Sequence, residues 1–453
     1  MDRVIQCTIV IVSVFAVLAT ASCRSFLKDV ETDPIVRAQA SPHEEWDDKV
    51  SRNSKALFDD GKKIFRWDTF GSEEFWGDQL QLHKAIVGEN KGGVGPGLTP
   101  RQALQLGLKA DVGAVPKLLL EVLRESAVSF DNPETTLELL RAGAIVGVKA
   151  FFDKDRNVTS IGITCAFCHS TVDDSFIKGI GRRLDGWPNR DLNVGAIVAL
   201  APNLKPFEHL LGANTQQVKA VLNSWGPGKY DAELNFDGKA FRPDGKSGAT
   251  LLPAAFGLAG QHLHTYTGWG SVPYWNAYVA NTQMHGKGTF IDRNVANKDQ
   301  FPLTAKTGFA NKRDKDDQIT SKLAALHYYQ LSLPAPVAPK NSYDSAAAER
   351  GRIIFNGKAN CASCHVPPLF SEPGVALHTG AEIGIDDFQA NRSPTRAYRT
   401  TPLRGLFTRS KGGFYHDGRF PDLPAVTQHY ERVFKFSLSD TERRDLVEYL
   451  KSL

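Results

Sequence analysis

The chain has 453 residues, 42% of them hydrophobic, and its 54 Lys and Arg stand against 50 Asp and Glu for a formal net charge of +4. That is apolar material for two or three ordinary cores, which excludes a disordered or collagen-like chain. Because the two signs are interspersed rather than gathered into a basic stripe, no nucleic-acid partner is expected.

In chain order, Arg3 precedes an uncharged stretch from Val4 to Ser22 with an apolar run over Thr8–Leu18 and small residues Ala19 to Ser22. This is the pattern of an export signal. Cys23 resembles a lipoprotein acceptor, although Thr20 stands where Leu is usual, so cleavage after Ala21 and an uncleaved anchor stay open. All three place the folded part in the periplasm or otherwise outside the cytoplasm. No later stretch reaches the ~18 apolar residues that span a bilayer, so membrane attachment is expected only at the N-terminus.

Residues 24–55 are polar, with Pro34 and Pro42, and read as a tether after the 1–23 signal. Between 56 and 150 the pattern is mainly helical. Leu80–Ile86 is one helix; Thr99, with Pro100 next and Gln102 three on, starts another; Asn132-Pro133-Glu134 starts a third that runs through Leu137, Leu140 and Ile145 to Val148. The glycines of 92–97 predict a loop between them.

A β-favouring run over Val158–Thr164 leads into Cys165-Ala166-Phe167-Cys168-His169, and the same C-x-x-C-H spacing returns at Cys361-Ala362-Ser363-Cys364-His365. In such a pentad two thiols form thioethers to haem vinyl groups and the adjoining His ligates iron. The alternatives are a four-cysteine zinc site and a thioredoxin-like redox pair, neither of which accounts for a His after both pairs. Two covalently bound haem c groups follow. Of six cysteines, Cys7 and Cys23 belong to the signal and four to the pentads, leaving none for a disulfide framework.

After the first pentad, Arg182, Arg183 and Arg190 are candidate partners for haem propionates, against the alternative of an exposed basic loop. Residues 245–291 contain no Asp or Glu and hold His262, His264, Trp269, Trp275, His285 and Met284, the last being the only Met besides the initiator. This acid-free, ring-rich interval suits the lining of an apolar cavity over a haem face, with a buried core loop as the alternative. The three prolines of Leu331–Pro339 mark a linker, dividing 56–340 from 341–453. Beyond it come an amphipathic helix over Ser345–Phe355, the second pentad, and a capping box, Ser439 with Glu442, that opens the last helix. Helix, pentad, excursion and closing helix is the order of a cytochrome c domain. The expected fold is therefore mainly α, with two cytochrome c-type haem domains, a helical N-terminal extension and few short strands.

The residues of 346–453 carry a family resemblance: Arg350-Gly351, Phe355-Asn356-Gly357, Pro367-Pro368-Leu369-Phe370, Thr401-Pro402-Leu403-Arg404, Phe414 to Phe420 with His416-Asp417-Gly418, and Asp445 to Leu453. On these the chain resembles the bacterial di-haem cytochrome c peroxidase superfamily, which includes MauG-type enzymes and the rubber oxygenase RoxA. Its long N-terminal half points to the RoxA-like branch. The resemblance implies a low-spin second haem whose far ligand lies on Leu423–Tyr430, which selects His429 opposite His365, with His416 as the rival. It implies a reactive first haem on His169, with Gln283, Met284 and His285 at the distal face and Trp269 as the relay between haems. Family peroxidases place a Glu at that face; the 245–291 interval offers none, so His285 is the candidate acid. No calcium site is expected.

Two functions follow: a haem oxidoreductase using peroxide or dioxygen, or a non-catalytic di-haem electron carrier if His262, His264, Met284 or His285 closes the first iron. A haem-free structural protein is the third class. The expected partner is a small electron-transfer protein or an organic substrate, small or oligomeric.

Overall fold

The computed structural model describes residues 34–125 and 130–453. The signal, Cys7 and Cys23 lie outside the described residues. The chain forms two compact units, Met1–Leu57 and Phe58–Leu453. It is mainly helical, 45% helix against 10% strand, and none of the described helices is long and apolar enough to cross a membrane.

From Pro34 onward the segment expected to act as a tether is helical, the helix running Pro34–Trp67. Helix formers and an i,i+4 pair, Lys49 to Glu45 at 2.8 Å, favour this conformation along a polar stretch. Next, the turn Glu74–Gln79 buries Phe75 and Trp76. Thr99 and Gln102 form the expected capping box, but the helix they open stops at Gln105. Gly107 follows at φ 83°, so close to the Asp191 carbonyl that a Cβ would stand 2.0 Å from it. The Asn132 side chain caps Pro133–Arg141 by accepting from the Glu134 amide at 3.0 Å. That helix ends well short of Val148, because Gly143 turns left-handed and the chain re-enters as strand Val148–Phe152, paired antiparallel with Val158–Ile163.

This hairpin delivers the first pentad. Cys165 precedes a single turn, Ala166–His169, which passes into Ser170–Val172 paired with Arg183–Asp185. The largest apolar core surrounds it, drawing on residues from Phe65 to Tyr329. Asp185 ties the far ends of this region together, accepting from Arg66 at 2.5 Å and from the Tyr329 hydroxyl at 2.6 Å.

The second pentad has its own core, in which Phe355, Leu406, Leu446 and Leu450 are buried. Helix Ser345–Asn356 crosses helix Asp440–Ser452 at Gly351, where a Cβ would stand 2.0 Å from the Asp445 carbonyl oxygen. Beside that close approach Arg350 forks onto the Asp445 carboxylate at 2.7 and 2.6 Å, and Phe355 meets Tyr449 edge-on at 5.2 Å. The predicted capping box of Ser439 and Glu442 is present. A third, aromatic cluster comprises Phe236, Trp269, Tyr278, Phe290, Val295 and Phe301.

Candidate functional site

Both pentads present their histidine in the same way. Nδ1 of His169 donates to the Pro253 carbonyl at 3.1 Å, and Nδ1 of His365 donates to the Phe370 carbonyl at 3.1 Å. This fixes the tautomer that leaves Nε2 unprotonated for a metal, the usual outer-shell arrangement of a ligating imidazole. Burial lowers the pKa of each ring to about 4, so both are neutral at physiological pH. Cys165, Cys168, Cys361 and Cys364 are free of disulfides, and burial pushes the Cys165, Cys168 and Cys361 thiols up to about 12. Zinc requires thiolates that converge on one point. Among the described residues the group close enough for that is Cys364, Glu372 and His378, so the four pentad cysteines do not build one zinc site.

The first pentad opens into a cavity. Cys165, Cys168 and His169 line it together with Trp76, Tyr230, Glu233, Pro253, His264, Tyr266, Trp275, Asn276, Gln283, Met284, Gln330, Gln389 and Arg399. Much of the remaining wall is aliphatic, including Ile163, Val194, Leu251, Leu252, Leu258, Val272 and Val279. Several wall atoms are buried with no partner in the protein: Trp275 Nε1, Asn276 Nδ2, Gln330 Oε1, Gln389 Oε1 and Glu233 Oε2. A cavity that is apolar overall, studded with orphaned donors and acceptors, and floored by two thiols and an imidazole fits haem c.

The structure gathers some of the anticipated distal residues and separates others. Gln283 and Met284 line the cavity, and the Met284 carbonyl is held by Trp76 Nε1 at 2.9 Å. His285 does not line it. Its backbone turns left-handed at φ 58° and its ring stacks on Phe75 at 3.6 Å, where burial, then Lys312, lowers its pKa to about 3. Trp269 is also outside the wall, buried in the aromatic cluster between Phe301, Tyr278 and Trp275. The side chain that does face the cavity from this cluster is Trp275, 5.5 Å from Trp269 ring to ring.

Glu233 is the residue that sequence reasoning missed. The acid-free interval is real, but the fold brings a carboxyl to the cavity from before it. Burial, opposed by Arg392 and reinforced by Asp231, pushes this carboxyl up to about 7. No linear pattern singles it out from its neighbours Asp231 and Asp237, which, unlike it, hydrogen-bond to Arg392. Tyr266 is a second such residue, on the cavity wall and 6.2 Å from the His416 ring.

At the second pentad, His429 is buried in helix Leu423–Phe434, its Nε2 donating to the Ile383 carbonyl at 2.8 Å. Its neighbour Tyr430 packs by its ring against Phe434 at 5.5 Å and Tyr415 at 6.1 Å. His416 is buried and stacked on Tyr398 at 5.2 Å, with Nε2 unpartnered. Of the propionate candidates, Arg182 is exposed. Arg183 has its side chain buried 5.0 Å over the Trp67 ring and 3.4 Å from Asp111, and Arg190 is buried.

Two pentads with matched imidazole geometry, in a mainly helical chain, fit the class of di-haem c-type cytochromes. The chain is 34% identical over 154 residues to the methylamine utilization protein MauG of Methylorubrum extorquens, a match covering 29% of this chain and 43% of that protein. It is 25% identical over 335 residues to the protein of the same name from Methylophilus methylotrophus, covering 68% of this chain and 82% of that one. Against the first relative, then, the match spans less than half its length. No family model matches the chain. A solved structure of Kuenenia stuttgartiensis hydrazine synthase pressurised with xenon aligns at 17% identity over 49% of this chain and 86% of that one, at a TM-score of 0.27, too low to bear on the fold.

Proposed function

We propose that this chain is an exported di-haem c-type oxidoreductase in which the first pentad is the reactive centre for peroxide or dioxygen and the second transfers electrons. The observation that carries the reading is the cavity: Cys165, Cys168 and His169 open onto it, whereas the ring of His285, a candidate to close that iron, is turned away against Phe75. Haem bound there would supply an iron able to exchange electrons with an oxidant. The protein's part is to hold His169 through Pro253, to exclude bulk water with the aliphatic wall, and to offer Glu233 and Gln283 as hydrogen-bonding groups.

His365 and His429 are the proposed ligands of the second haem, which requires the His429 ring to leave the Ile383 carbonyl. The likeness to MauG proteins supports peroxidase-like chemistry, and the long N-terminal half supports the RoxA-like branch. The export-signal pattern of the residues before Cys23 supports an extracytoplasmic site, whether the chain is lipid-attached at Cys23, cleaved after Ala21 or left as an anchor. The proposed partner is a small electron-transfer protein or an organic substrate.

The test is the spin state of the purified protein. A high-spin ferric component and carbon monoxide binding to the reduced form are expected. A wholly low-spin protein that ignores carbon monoxide establishes the electron-carrier reading instead.

A further inference from the structure

This fold shows how it neutralises a buried guanidinium. Arg392, fully buried, reaches Asp237 at 2.7 Å and Asp231 at 2.8 Å, and although burial opposes the charge, the two carboxylates hold it above the usual arginine range. Three other arginines at the junction of the two pentads have no such partner. Arg190 and Arg409 are buried, each with Nε unpartnered; Arg399 is half-buried on the cavity wall.

Their hydrogen bonds go to neutral groups. Arg409 donates to the carbonyls of Pro402 at 2.7 Å and Arg404 at 3.1 Å, Arg190 to that of Lys411 at 3.5 Å, and Arg399 to Gln261 at 2.9 Å and the Leu263 carbonyl at 2.7 Å. Backbone geometry draws the three together near Tyr266: the Arg399 amide donates to the Tyr266 carbonyl at 3.0 Å, Tyr266 and Arg399 share the cavity wall, and the carbonyl that Arg190 reaches, Lys411, is two residues on from Arg409. Burial pulls both Arg399 and Arg409 down to about 10, with Arg409 adding to the effect at Arg399 and Arg190 to that at Arg409, while Tyr266 opposes it at both. The nearby acids are engaged by other cations: Asp191 by Lys109 and Lys411, Asp417 by Arg242 and Arg419. Two buried cations and a half-buried one, none with a carboxylate partner, have the chemistry of an anion site.

Its position identifies the anion. Arg399 borders the cavity of the first pentad, while Arg409 donates to the carbonyl of Arg404, whose own guanidinium donates to Pro368 in the segment that holds His365 through Phe370. We propose that Arg190, Arg399 and Arg409 form one carboxylate-binding site shared between the pentads, which takes propionates of both haems and couples the two centres electrostatically. The proposal rests on the two-haem reading above. A free carboxylate from solution has the same chemistry, and the test separates the two.

The experiment uses the full chain carrying both haems. Resonance Raman spectra report propionate bending modes, and spectroelectrochemistry reports each midpoint potential. In Arg399→Gln and Arg409→Gln the bending bands are expected to shift, and Arg409→Gln to lower the potentials of both haems. Arg409→Lys, which keeps the charge, restores the potentials more than the bands, and equal haem content across variants confirms folding. Bands that stay unchanged in both Gln variants overturn the proposal. So does a wild-type spectrum that shifts on adding acetate, the mark of a free carboxylate in the site, or a potential change confined to one haem. Absence of haem defeats this proposal and the functional reading together. Two haems with the expected Raman shifts but no carbon monoxide binding defeat only the latter.

Discussion

Replacing Glu233 by Gln should change how stability depends on pH. In the folded protein this carboxyl is buried on the cavity wall, Oε2 has no partner, and its pKa rises from the ordinary 4.5 to about 7. The folded state therefore holds the proton more tightly than the unfolded chain does. That contribution is fully present below pH 4.5 and is lost as pH climbs through 7. Across that gap, at about 1.4 kcal/mol per pH unit, the wild type loses about 3 kcal/mol. Gln keeps the shape and cannot ionise, so the Glu233→Gln protein should lose about 3 kcal/mol less over the same range and be the more stable form at pH 8. Some slope remains, because burial also raises Asp231 to about 6. Urea unfolding of the two-haem protein from pH 4 to pH 8 measures this directly. Parallel stability curves for wild type and variant would show that Glu233 does not carry a proton at the cavity.

Three further outcomes follow from the geometry. Gly351→Ala places a methyl 2.0 Å from the Asp445 carbonyl, so the crossing helices must part, at a cost of about 1–3 kcal/mol or more; a thermal melt unchanged from wild type refutes the close crossing. His429→Ala should convert the low-spin signal of the second haem to high-spin; an unchanged spectrum transfers the far-ligand role to His416, whose Nε2 is unpartnered. Replacing Cys165 and Cys168 together by Ala should reduce the pyridine haemochrome count from two haems to one and abolish carbon monoxide binding, whereas replacing Cys361 and Cys364 should leave that binding in place.

Local signals were readable along the chain wherever the physics is local. Thr99, Asn132 and Ser439 cap helices as their side chains predict, and the histidine that follows each C-x-x-C pair is held through Nδ1 by a backbone carbonyl. What could not be read is what depends on distant chain segments. The helix from Pro133 stops at Arg141 because Gly143 turns to start a hairpin whose other strand must arrive from Val158–Ile163. Trp269 and His285 sit in a stretch of the right composition, yet their rings are taken by Phe301 and Phe75, partners at remote positions. Glu233 escaped notice for the same reason: an acid between two other acids looks like a solvated turn until Arg392 arrives from 155 residues beyond Asp237 and claims the outer pair.

That arrangement bears on how the two halves depend on each other. Arg392 belongs to the C-terminal half, while its carboxylates and Glu233 belong to the segment forming the first cavity. With three buried carboxyls around one guanidinium, full ionisation would leave a net charge of −2 in a desolvated space, so a proton must reside there; Asp231 and Glu233 each have an unpartnered oxygen, and of the two Glu233 makes no hydrogen bond to Arg392 and is pushed higher, to about 7 against about 6. The protonation of the cavity at the first pentad is thus tied to a residue from the half that carries the second pentad. Weakening the Arg392 contact with Lys, which cannot fork onto Asp231 and Asp237 together, should raise the Glu233 pKa further. Infrared spectra of Arg392→Lys should show the protonated-carboxyl band of Glu233, identified by its loss in Glu233→Gln, persisting to higher pH than in the wild type. If the band instead titrates at the same pH, the two halves do not share this proton.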